Sequence, residues 1–183
     1  YNADSRVILK SLRDVSNGTV DTVNLIESAN KALLLGIDPS KFVKLMEIAR
    51  AASKATGDTI TKSFEDITIG IGRQSRMILD NLGIIVKIDD ANKQYAKSLG
   101  INASALSDTQ KKQAFLNATL AAGQKIIDGV GNTSVDAADR VAQIKTSFVE
   151  LTNELKTTTL FVLDKLLVAL DKINKKAEEI KKK

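Results

Sequence analysis

Apolar residues recur along most of this chain three or four positions apart, and the runs are separated by glycine or by residues suited to capping helices. Ile8, Leu12 and Val15 predict a first helix that Asn17 and Gly18 end. Thr19 is placed to cap a second, with Val20, Val23, Ile26 and Leu33 to Leu35 as its apolar side and Gly36 as its stop. Asp38 before Pro39 predicts a third helix to about Thr56, with Phe42, Leu45, Met46 and Ala49 inward. Gly57 closes it, and Asp58 is placed to cap a fourth that carries Ile60, Phe64, Ile67 and Ile71.

The pattern changes after Ile71. Gly70 and Gly72 are expected to loosen the backbone, and Met77 to Leu82 form one more apolar turn stopped by Gly83. The β-branched run Ile84, Ile85, Val86 and Ile88 then predicts a short strand or an extended connector. Asp89 is placed to cap a short helix with Ala91, Tyr95 and Leu99 inward, closed by Gly100. Ser107 and Gln110 have the spacing of a capping box ahead of a helix that carries Phe115, Leu116, Leu120, Ile126 and Ile127, and Gly129 and Gly131 punctuate its end. Leu-Gly-Ile occurs at Leu35, Leu82 and Leu99 at unequal intervals, which reads as one helix-stop device used three times rather than as an internal repeat.

From Ser134 onward glycine and proline are absent, so a single helix of about 50 residues would extend roughly 70 Å. Val141, Ile144, Phe148, Leu151 and Leu155 follow the alternating steps of a coiled-coil seam, and Leu163, Leu166, Leu170, Ile173, Ala177 and Ile180 repeat it one residue out of phase. Thr157, Thr158 and Thr159 lie at the phase change, where β-branching predicts a bend or break. A seam this apolar predicts a homo-oligomer joined through the helix. The fold expected is all-α: a compact multi-helix domain over residues 1–131, then a long amphipathic, coiled-coil-forming helix over 132–183. The opening at Tyr1 and the charged end at Lys183 suggest part of a longer chain.

Composition narrows the chemistry. The chain is 43% hydrophobic but only 4% aromatic, enough for a core built of aliphatic side chains. With no histidine and no cysteine, nucleophiles activated by histidine, cysteine or histidine metal cages and disulfides are excluded. The net charge of +5 sits at the end: residues 172–183 hold 6 basic and 2 acidic side chains, and the preceding 171 residues hold 21 and 20. A neutral body with a lysine-rich helix end points to no specific nucleic-acid contact. Leu160 to Leu170 is too short, and with Asp164 and Lys165 too charged, to span a bilayer.

Candidate sites are few. Gly70, Gly72 and Ser75 superficially echo a dinucleotide loop, but no strand precedes them and the third glycine is missing. The adjacent carboxylates Glu65 and Asp66, Asp89 and Asp90, and Glu178 and Glu179 diverge on a helix and so do not converge on one substrate. Arg73 and Arg76 near Asp80 are expected to form surface ion pairs, with an anion or partner site as the competing reading. Nothing assembles a nucleophile, a base and an oxyanion hole, so neither enzyme activity, nor a cofactor, metal or small-molecule substrate is expected.

Several segments taken in order carry a family resemblance. They are Ala29 to Leu33 with Ile37, Glu47 to Arg50 through Ala55 to Gly57, Phe64 to Asp66, Gly70-Ile71-Gly72-Arg73-Gln74-Ser75, Leu79-Asp80-Asn81-Leu82-Gly83-Ile84 and Gln113 to Ala118. Over about Asn17 to Leu155 the chain resembles the N-terminal region of the tape measure proteins of tailed bacteriophages and prophages. Relatives often have proline after the equivalent of Ser75, and Arg76 departs from that pattern. The resemblance implies a long helical protein around which tail tube protein polymerises, whose length sets tail length and which leaves ahead of the genome. It also implies a coat of tail assembly chaperones before tube assembly and several copies side by side. The expected location is the lumen of the virion tail tube, after the host cytoplasm during assembly, with membrane contact confined to genome ejection. Gly70, Gly72, Arg73, Gln74, Ser75, Asp80, Asn81 and Gly83 are the family-motif positions, and no catalytic residue carries over. The competing class is a non-catalytic secretion, translocator or pore-forming component, which liposome leakage would reveal.

Overall fold

The computed structural model describes the backbone of residues 2–131 and 137–181, and side chains at 5–131, 139–161, 164, 165, 167 and 168. The protein is all-α, without a strand among the described residues. Its helices are α1 (Asn2–Val15), α2 (Thr22–Leu34), α3 (Phe42–Thr56, entered through a 3-10 turn at Pro39–Lys41) and α4 (Ile60–Gly72). There follow α5 (Arg76–Asp80), α6 (Ile88–Ser98), α7 (Asp108–Val130) and α8 (Ala137–Lys181).

Helix α3 is the centre of the body and packs against α1, α4 and α7, while α2 closes on α4 and α6 on α7. Its Phe42, Leu45, Met46, Ile48 and Ala49 are at most 1% exposed. Phe42 meets Phe64 of α4 edge to face, with ring centroids 6.4 Å apart at 86°. Removing side chains of the size of Phe42, Leu45, Met46 and Ile48 from water contributes about 1.5–3 kcal/mol each.

All three Leu-Gly-Ile triplets end helices in the same way. Gly36, Gly83 and Gly100 have φ of 75°, 74° and 68°. In each, the following isoleucine N–H donates back to the carbonyl of Ala32, Leu79 or Ala96, at 3.0 Å every time. Gln74 does the same at the end of α4 without being glycine: its φ is 51°, and Ser75 N–H donates to Gly70 O at 2.8 Å.

Several local expectations need correction. Asp21 caps α2, its carboxylate accepting from Asn24 N–H at 3.1 Å, whereas the Thr19 hydroxyl turns back to Ser16 O at 2.6 Å. Thr59 caps α4, and Asp58 instead pairs with Lys62. Lys87 stands at the start of α6, with Asp89 inside the first turn. The buried face of α2 is Leu25, Ser28, Ala29 and Ala32, whereas Val23, Ile26, Leu33 and Leu34 face water. Small residues on that face let α2 lie close to α4. In α6, Ala91 and Ala96 are buried and Leu99 is exposed. Residues 84–87 form an extended connector, with Ile84 and Val86 buried and Ile85 exposed. The capping box of Ser107 and Gln110 is present.

Candidate interaction surface

Helix α8 meets the body through its polar side. Asp139, 7% exposed, lies 3.2 Å from Arg50 Nη2 and 3.3 Å from Lys54 Nζ on α3. One turn on, Gln143 Nε2 donates to Asn17 O at 2.6 Å, and Thr146 Oγ1 donates to Thr19 O at 3.0 Å. Glu150 then accepts from Arg13 Nη2 at 2.8 Å and from Thr22 Oγ1 at 3.1 Å. The turn between α1 and α2 supplies those carbonyls because it is not helical: Asn17 sits at φ 54°, leaving backbone acceptors free to face α8. Between α8 and the body an open cleft of about 730 Å³ is lined by Lys54, Asp58, Thr61, Lys145, Val149 and neighbours.

Asp139, Gln143, Thr146 and Glu150 are spaced by alternating steps of four and three, so they form one stripe along the helix. The apolar seam lies on the other side of the helix, about 150° around the axis. It faces water: Val141 is 67% exposed, Ile144 71%, Phe148 72%, Leu151 53% and Leu155 60%. An ordinary surface helix buries its apolar stripe. Here the amphipathicity is inverted, and the seam is left uncovered by its own chain. Leu160, Phe161, Leu167 and Val168 continue the exposure. Leu163, Leu166, Leu170 and Ile173 of the second seam have side chains outside the described residues.

The helix runs through Thr157, Thr158 and Thr159 without the predicted break. Each threonine hydroxyl donates to the carbonyl four residues back, at 2.8–2.9 Å.

The positions of the expected family motif lie between the end of α4 and Gly83, and among them Gly70 and Gly72 have packing roles. Gly70 and Gly72 lie within α4 and do not loosen it. A Cβ on Gly70 would stand 2.7 Å from Leu79 Cδ2, and one on Gly72 2.7 Å from Leu35 Cδ2, so both permit close approach. Gln74 and Ser75 make the turn into α5, and Gly83 ends the next one. Arg73, Arg76, Asp80 and Asn81 are exposed. The expected ion pairs between the two arginines and Asp80 are absent among the described residues, although Arg76 and Asp80 stand one turn apart on α5. The ion pairs that do form at this level of the body are elsewhere: Lys31 with Glu65 at 2.7 Å, and Lys62 with Asp58 and Asp66 at 3.0 Å each. Each hydrogen-bonded carboxylate raises the pKa of its lysine.

Two features escaped the reading of the sequence. Gly123 of α7 lies against α3, where a Cβ would be 2.5 Å from Ile48 Cδ1. The docking stripe carries only polar residues, and its spacing was a usable signal that the apolar seam on the opposite face obscured. Among the described residues no cluster of acidic side chains could hold a metal ion, and no helix is long and apolar enough to cross a membrane. No family model matches the chain, and no solved structure matches it.

Proposed function

We propose that this chain is a segment of a phage tail tape measure protein, a non-catalytic helical scaffold for tail tube assembly whose length contributes to a ruler. The observation that carries this reading is α8, a 45-residue helix held by a polar stripe with its apolar seam turned outward. A helix arranged in this way is suited to being covered by other chains, which tail assembly chaperones, further copies and finally tail tube protein would do in turn. Ordered motifs from Ala29 to Ala118 support the same reading. A helix advances 1.5 Å per residue whatever its side chains, so an extended rod converts residue number into distance.

The test is a deletion within the parent protein. It is placed after Glu150 so that the docking stripe stays intact, and it spans 151–172 so that Ile173 takes up the seam position of Leu151. About 22 residues are lost, and an extended helix shortens by roughly 33 Å. Electron micrographs should show tails shorter by that amount. Fully assembled tails of unchanged mean length would remove the ruler role and leave an end-anchoring or chaperone-binding domain.

A further inference from the structure

We propose that the exposed seam of α8 is covered, in the free chain, by the same seam of a second copy running antiparallel. This stands independently of the tail-assembly reading and rests on the charges that flank the seam. With Val141, Phe148 and Leu155 in one row and Ile144 and Leu151 in the other, the flanking positions are Arg140, Ser147 and Glu154 on one side and Lys145 and Thr152 on the other. Arg140, Lys145, Ser147 and Glu154 are exposed, and the body lies on the opposite side of the helix, so a second helix has unobstructed access.

Orientation then follows from pairing rules. In a parallel pair Arg140 falls beside the partner's Lys145, twice over by symmetry, and like charges oppose association. In an antiparallel pair Ile144 can sit against the partner's Phe148 and Val141 against the partner's Leu151. That register brings Arg140 beside the partner's Glu154 at both ends of the contact. Ser147 then meets the partner's Ser147, and the single like-charged approach is Lys145 to the partner's Lys145, where long side chains can splay into water. This register stacks four apolar layers where a parallel pair stacks five, with Leu155 falling opposite the partner's Ala137, so the preference rests on the flanking charges alone.

Two measurements on the full chain test this. The first places a nitroxide at Lys165 through a single introduced cysteine, since the chain has none of its own. Lys165 lies about 19 residues beyond the centre of the antiparallel contact on each helix, so the two labels should stand roughly 55 Å apart. A parallel pair would bring them within roughly 20 Å. The second is R140E, which should weaken the dimer roughly tenfold by opposing two glutamates at each end, with R140E/E154R restoring it. In a parallel pair R140E would instead tighten association through the partner's Lys145. A short label distance, tighter association of R140E, or a chain that stays monomeric at high concentration each overturns the proposal.

Discussion

Gly123 tests the packing of the body because its replacement should act in the opposite sense to that of Gly129 on the same helix. Replacing an interior helical glycine with alanine stabilises by about 1 kcal/mol when the new methyl group has room. Gly129 has that room, since a Cβ there meets nothing within 4 Å. At Gly123 the new Cβ would lie 2.5, 2.6 and 2.7 Å from Cδ1, Cγ2 and Cγ1 of Ile48. Ile48 is 0% exposed, and two of those atoms are attached directly to its stiff, branched Cβ, so the side chain cannot swing clear. Overpacking of this kind costs about 2–3 kcal/mol. Set against the helix gain, G123A should lose about 1–2 kcal/mol in urea unfolding, while G129A gains up to about 1 kcal/mol. Adding I48A removes all three atoms, so the double variant should be more stable than the sum of the single effects allows. G123A as stable as G129A would refute the close approach of α3 and α7.

Further predictions concern the turns, one carboxylate and the docking stripe. G83A should lower stability by about 1 kcal/mol, because alanine is strained at φ 74° while its Cβ would meet only Ile126 at 3.8 Å; Q74G should raise stability by about 0.5 kcal/mol by relieving the same strain, both read as shifts of thermal midpoint. Asp38 accepts from the Ser40 side chain and backbone, which hold its carboxyl below the ordinary carboxylate range. Since the folded value is the lower one, its stabilising contribution is present above the unfolded value and is lost as pH falls through the folded value. NMR titration should find Asp38 protonating below a free aspartate, and D38N should remove that part of the acid dependence. D139A should weaken docking of α8 by about 3 kcal/mol by leaving Arg50 and Lys54 without this carboxylate, seen as faster hydrogen exchange over 139–150 while α3 and α4 stay protected.

Local signals were the legible part of the fold. The Leu-Gly-Ile stops, the Asp38–Pro39 start and the Ser107–Gln110 box depend on residues close in sequence, and each formed where its chemistry placed it. The caps of α2 and α4 were misplaced by one or two positions because Thr19 competes with Asp21 and Asp58 with Thr59, and only backbone geometry chooses between them. The face of α2 was misread because large apolar residues were assumed to point inward, whereas close packing on α4 favoured Ser28, Ala29 and Ala32. The seam of α8 was visible as a pattern that calls for a second chain, but the polar face by which α8 docks on the body was not. That depends on contacts between Arg13, Asn17 and Thr19 and residues more than a hundred positions away, which periodicity does not report.

If the outward seam of α8 is an interaction surface, Phe148 is the residue on which to measure it. At 72% exposure it contributes little to the isolated fold, so at concentrations where the chain is monomeric F148D should leave the circular dichroism spectrum and thermal midpoint nearly unchanged. Sedimentation equilibrium of the unmodified chain should show a mass that rises with concentration towards that of a dimer, while F148D stays at the monomer mass of 19.8 kDa. An unmodified chain that is monomeric throughout, or an F148D variant that associates equally well, would mean that the seam is not an interaction surface.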